Sequence, residues 1–157
     1  MATQTYVALA TTTLSGTTAS VTFSSIPADY RDLVLVTKIG NNGSGAKEIS
    51  LVFNSDSSNR SRVFAAGYSG GTLSGTASTI LAAYNTAGLI SSNTAHIMDY
   101  SATDKHKTVL VRNGDTAFTM MQAGRWASTA AINSIELSIS GASFTAGSTF
   151  SLYGIEA

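Results

Sequence analysis

With 157 residues and 16.2 kDa the chain has the length of one domain, 1–157, and surface scaling predicts that folding hides roughly two-thirds of its surface, enough for a core without staples. Nine basic and nine acidic residues cancel and no run of Lys or Arg exists, so the clustered positive charge that nucleic-acid binding needs is absent from the sequence. Zero cysteines exclude disulfides and thiolate metal sites, and no apolar run approaches the ~20 residues of a membrane span.

Thr5 to Leu9 predicts a short first strand, followed by a Thr/Ser/Gly loop or irregular edge through Ala19. Val21 and Phe23 point one way and Thr22 the other, a half-buried strand ending at Ile26-Pro27. Ala28 to Asp32 fits either one helical turn or a bend. It leads into Leu33–Ile39, a β-branched run apolar on both faces and therefore a central strand. After a turn at 40–45, Ile49, Leu51 and Phe53 share one face, and Asn54 to Ser61 reads as a polar loop before a strand at Arg62–Ala66. Between Gly67 and Gly75 lie four glycines and almost nothing able to pack a core, which predicts a long exposed loop. Thr79–Tyr84 and Thr94–Tyr100 read as strands, the first also compatible with a brief helix.

The sharpest local signal is Asn113-Gly114-Asp115 between two β-prone runs, Lys107–Arg112 and Thr116–Ala123. Asn-Gly supplies positive φ at both central residues of a type I′ turn, so a two-residue hairpin is expected there. Ile135, Leu137 and Ile139 then alternate with polar residues. In the last stretch Phe150, Leu152 and Gly154 alternate with Ser151, Tyr153 and Ile155, which puts apolar groups on both faces and predicts an interior strand. Gly154 removes a side chain where another group approaches closely. The earlier strands should wait for this one before the sheet closes. With no long 3.6-residue period anywhere, eight to ten short strands joined by Gly, Asn and Ser turns define an all-β, antiparallel β-sandwich, best read as a jelly roll.

No catalytic constellation emerges, so the chain reads as a binding protein and not an enzyme. His96 and His106 are ten residues apart with no third ligand at metal spacing. Asp104-Lys105-His106 lacks a nucleophile elbow and reads as a solvated turn. Asp56 is one carboxylate where calcium sites use several, and no glycine pattern cradles a phosphate, so no metal and no cofactor is expected. The candidate interface residues are Tyr153 and Ile155 on the second face of the last strand, His96, Met98 and Tyr100 in line along theirs, and Trp126, whose indole beside Arg125 could stack on a sugar or pack inside.

Three segments, taken together, carry a family likeness. They are Phe23-Ser-Ser-Ile-Pro-Ala-Asp-Tyr-Arg-Asp-Leu-Val-Leu-Val36, then Asp99-Tyr100 with Lys105-His-Lys-Thr108, and Trp126 through Ala131-Ile-Asn-Ser-Ile135 to Gly147-Ser-Thr-Phe-Ser-Leu-Tyr-Gly-Ile155. With these the chain resembles the small structural proteins of tailed-bacteriophage virions, especially those of aquatic phages. The likeness implies a non-enzymatic β-sandwich on the particle, either a capsid decoration (cement) protein or a tail appendage. The absence of heptads and repeats favours decoration, which implies the major capsid protein as partner and a homo-oligomer, a trimer, on the shell. The alternative is a tail-fibre module that binds a host surface glycan. The absence of a secretory signal at Met1 to Tyr6 fits synthesis in a host cytoplasm, with no membrane partner. The polar segments Thr3–Thr13 and Gly67–Gly75 are expected to order against the shell, and so few charges predict attachment that depends weakly on salt.

Overall fold

Alternation of apolar and polar residues, read at a period of two, accounts for nearly all of the regular structure. A computed structural model describes residues 5–156, and these form no helix but twelve strands. In order they are β1 (Tyr6–Thr13), β2 (Ser20–Phe23), β3 (Asp32–Gly40), β4 (Lys47–Phe53), β5 (Arg60–Tyr68), β6 (Gly71–Ala77), β7 (Leu81–Asn85), β8 (Ile90–Met98), β9 (Lys107–Gly114), β10 (Phe118–Trp126), β11 (Ile135–Ile139) and β12 (Thr149–Ile155). Every pairing is antiparallel. Eight strands form one sheet in the order β1-β12-β3-β8-β9-β10-β5-β6, and four form a second in the order β2-β11-β4-β7.

The sandwich is a jelly roll with additions, which explains why twelve strands stand where eight to ten were expected. Setting aside β1, β12, β9 and β10 leaves β3-β8-β5-β6 facing β2-β11-β4-β7, the strand order of two interlocked Greek keys. The β9–β10 hairpin is spliced between β8 and β5, and β12 with β1 extends the same sheet beyond β3. One sheet is thereby made twice as wide as the other. The narrow sheet places Ile49, Leu51, Phe53, Ile135, Leu137 and Ile139 against Leu33, Leu35, Ile97, Val109, Val111 and Leu152 of the wide one, all buried. A smaller cluster of Ala66, Leu81 and Met120, with Phe64, Tyr84 and Phe118 beside it, fills the region under β5 and β10.

The last strand is interior, as its two-faced pattern predicts, although it stands second from an edge and not at the centre. β12 pairs with β1 on one side and β3 on the other. The close approach at Gly154 comes from Tyr30: a Cβ there would lie 2.3 Å from the ring. Tyr30 is held in place by the preceding bend, where its N–H donates to the Tyr100 hydroxyl and that hydroxyl donates to the Pro27 carbonyl. Residues 28–31 are bends and not a helical turn. The buried Lys107 is a second polar anchor. Its Nζ donates to the carbonyls of Ala102, Lys105 and Thr129, tying two loops together at one end of the sandwich.

Two local expectations are overturned. Gly67–Gly75 is not a loop but the turn of a hairpin: β5 continues to Tyr68, Gly71 at φ 136° makes the corner, and β6 returns as an edge strand. An edge strand needs hydrogen bonds on one side only, so Gly, Ser and Thr suffice where no core packing is required. Asn113-Gly114 is not the turn either. Both belong to β9 and neither has positive φ. Asn113 is instead buried and donates to the Tyr84 carbonyl, bridging the wide sheet to β7. The reversal falls a few residues later, at 115–118, where Asp115 N–H donates to Phe118 O at 2.9 Å and the Asp115 carboxylate accepts from the N–H groups of Ala117, Phe118 and Thr86. Asp115→Ala is therefore expected to lower stability by about 1–3 kcal/mol in urea unfolding, whereas Gly114→Ala should change it by less than about 1 kcal/mol, since a Cβ there meets only ordinary contacts. A larger loss from Gly114→Ala than from Asp115→Ala contradicts this turn.

Candidate functional surface

In the wide sheet one face covers the core and the other is turned away from it, so strand register alone fixes which side chains form the outer surface. Across the strands one row runs Ala8, Tyr153, Val34, His96, Leu110, Ala123, Val63 and Thr76. The adjacent row runs Thr11, Ser151, Val36, Thr94, Arg112, Met121, Ala65 and Ser74. Of nine exposed large hydrophobic residues among those described, seven lie on this face: Tyr6, Val36, Val63, Ile90, Met98, Leu110 and Met121; the other two, Tyr68 and Leu73, sit in the β5–β6 hairpin. Leu110 is 52% exposed and Met121 59%. Scattered surface leucines need no explanation, but seven exposed apolar side chains on one sheet face make it the candidate interaction surface.

The face is also hollow. A cavity of about 390 Å³ is bordered by Tyr6 of β1 together with Leu110 and Arg112 of β9 and Met121 of β10. Val34 of β3 and His96 of β8, on the strands between, line it as well. Three further clefts open on the same face, lined by Val36, Lys38 and Arg112, by Ala65, Leu73 and Met121, and by Val63, Met98 and Arg125.

Its charge is one-sided. Lys38, Arg112 and Arg125 are exposed here and make no ion pair or side-chain hydrogen bond among the described residues. The carboxylate on this side, Asp32, is buried and occupied. Its Oδ1 accepts from Asp99 N–H at 2.9 Å, while Oδ2 faces His96 Nε2 at 3.0 Å and Arg31 Nη2 at 3.1 Å. Burial pushes the Asp32 carboxyl up, but these bonds from Asp99, His96 and Arg31 outweigh it and hold the group below the usual carboxylate range. A lowered folded value means that the stabilisation is complete above the unfolded value of about 3.9 and is lost as pH falls through the folded value. Asp115 has the same sign, its backbone hydrogen bonds outweighing burial. Urea midpoints measured between about pH 6 and pH 2 are therefore expected to fall more steeply for wild type than for Asp32→Asn, whose loss is already present near neutrality; parallel profiles contradict the pairing.

The six residues singled out from the sequence divide evenly. Tyr153, His96 and Met98 are on the outer face. Trp126, Tyr100 and Ile155 are buried, with Trp126 only 2% exposed, and so do not serve as surface contacts of this chain. Trp126 packs against Phe53 and donates from Nε1 to Asp56 Oδ2 at 2.8 Å, so the indole is a core group with a satisfied polar edge and no sugar platform. Tyr100 is committed to the Pro27–Tyr30 bend. Segment 6–13 is already paired as one sheet edge and 71–75 as part of the other, with 67 and 68 in the interior strand β5, and residues 3 and 4 lie outside the described residues. What sequence reading missed is the role of Leu110, Met121, Arg112 and Lys38. The signal was present in the alternation of Val109, Val111 and Asn113 with Leu110 and Arg112, where the supposed solvent side carries a leucine.

Among the described residues no group of three or more His, Cys, Asp or Glu side chains converges to hold a metal ion. The Asp32–His96 pair has the spacing of a base and its orienting carboxylate, but Oδ2 is shared with Arg31 and the neighbouring groups on the face are Val34, Thr94 and Leu110. What the surface does chemically is offer aliphatic contact and unpaired positive charge. No protein-family model, curated protein or solved structure matches the chain.

Proposed function

We propose that this chain is a non-enzymatic structural protein of a tailed-phage particle, a decoration protein that binds and stabilises the head shell. The observation that carries the reading is the gathering of exposed aliphatic side chains on the hollow outer face of the wide sheet. A domain that exposes this much apolar surface on one regular face gains by covering it. The sequence likeness to virion proteins supplies the setting, and a sandwich with a low share of charged residues suits a surface covered in an assembly.

The mechanism is linkage. A protein that binds only the assembled shell stabilises it by mass action, and many copies add their effects without any reacting group. Heads stripped of the protein are expected to lose heat resistance while the particles still adsorb to host cells. If stripping instead abolishes adsorption and leaves heat resistance intact, the tail receptor-binding reading replaces this one. Self-association as a trimer belongs to the same proposal, through the uncharged edge strands β1 and β6. Sedimentation at micromolar concentration is expected to give the trimer; a monomer contradicts that part of it.

A further inference from the structure

We infer that the surface which docks on the hollow face of the wide sheet is an acidic protein patch, carboxylates set among aliphatic side chains, on the shell protein. The inference rests on the head-decoration reading and adds the chemistry of the partner. It starts from a mismatch between the whole chain and one face. The chain is neutral, yet among the described residues Lys38, Arg112 and Arg125 stand on this face without a carboxylate partner, and the one carboxylate of its strands, Asp32, is buried and already engaged by His96, Arg31 and Asp99 N–H. The compensating acids lie elsewhere, as with Glu48 and Glu136 on the narrow sheet and Asp104 and Asp115 in turns.

Position makes the cations matter. Arg112 borders three of the four clefts on this face, Lys38 shares one of them with it, and Arg125 borders the fourth. A partner that covers Leu110 and Met121 must therefore also take these cations out of water. An uncharged partner would leave them desolvated and unpaired, which opposes binding; a partner with carboxylates at matching positions pairs them. A second copy of this chain, docked face to face, would set like charges against each other, so self-pairing through this face is disfavoured. The flanking groups separate a protein from a glycan. Of the seven exposed apolar residues of the face, six are aliphatic or thioether groups of the kind protein interfaces use and only Tyr6 offers the flat ring that sugar sites present, so a protein is favoured and a glycan is left to the test. Low overall charge predicts attachment indifferent to salt; gathering the cations on the docking face reverses that expectation.

The test uses the full chain and heads stripped of it. Co-sedimentation is measured from about 50 mM to about 500 mM NaCl for wild type, for the double variant Lys38→Glu/Arg112→Glu and for Leu110→Ser. Wild-type affinity is expected to fall at least about tenfold across that range, and the double variant to bind at least about tenfold more weakly than wild type at low salt, with less salt dependence. Leu110→Ser should weaken binding at every salt concentration. Melting temperatures should stay unchanged, because the substituted side chains are exposed and the two cations have no partners among the described residues. Wild-type binding that ignores both salt and charge reversal overturns the acidic-patch inference and leaves head attachment standing. Absence of binding to heads, with charge-dependent binding to heparin in its place, overturns both in favour of an anionic glycan; no binding to either also overturns both.

Discussion

Ending the chain at Leu152 is expected to yield insoluble protein. The truncation removes Tyr153, Gly154 and Ile155 from β12, which pair with Ala8, Val7 and Tyr6 on one side and with Val34, Leu33 and Asp32 on the other. The first three residues of β1 lose the one strand they pair with among the described residues, and the start of β3 loses one of its two. Leu33, which is fully buried, then lies beside an open sheet edge, and the Tyr30 ring that packs on Gly154 loses its seat. Unpaired backbone flanked by apolar side chains is a template for pairing with another chain, so aggregation during refolding is the expected consequence. Expression in the soluble fraction with a native-like far-UV spectrum contradicts this and makes β12 dispensable. Gly154→Leu acts on the same seat from within, since its side chain overlaps the Tyr30 ring, and it should cost about 1–3 kcal/mol by overpacking.

Trp126→Ala is expected to lower stability by about 3–5 kcal/mol, the range for removing a large aromatic from a core. The indole is buried against Phe53 at a centroid distance of 5.8 Å and joins β10 to the turn at 54–59 through Asp56. That turn depends on Asn54 as well, whose Oδ1 accepts from the N–H groups of Asn133 and Ser134. Loss of the indole should therefore loosen both loops at this end of the sandwich, and hydrogen exchange at 54–59 should rise with it. Trp126→Phe keeps most of the apolar volume and should cost clearly less. A variant that loses ligand or particle binding while keeping wild-type stability points to an exposed indole and contradicts its place in the core.

The difference between the two faces of β12 shows how much of the fold was legible in the sequence. Period-two alternation identifies β2, β3, β4, β11 and β12 directly, because burial on at least one face forces it. It fails at β6. There Gly71-Thr-Leu-Ser-Gly-Thr-Ala77 carries no burial signal, since this edge strand is exposed along most of its length and needs no apolar face. The hairpin at Asn113 fails for a different reason. Asn-Gly has the right local preference, but a buried bond from Asn113 to Tyr84 O and the capping of Asp115 move the reversal by a few residues, and tertiary contacts outweigh a turn propensity. Trp126 and Tyr100 invite a surface reading because aromatic residues are common at interfaces; only the positions of Asp56 and Pro27 reveal that their polar atoms are satisfied inside. The outer face of the wide sheet was harder still. Leu110 and Arg112 are two apart on β9, but Met121 and Val36 reach them only through the order β3-β8-β9-β10, which no local pattern contains.

Electron microscopy of intact particles at a resolution that separates strands tests the proposal most directly. The twelve-stranded domain is expected on the head, in hundreds of copies, with the face that carries Leu110, Arg112 and Met121 against the shell and density for acidic side chains opposite Lys38 and Arg112. The same domain on the tail in a few to a few dozen copies, or on the head with that face turned to solvent, contradicts it.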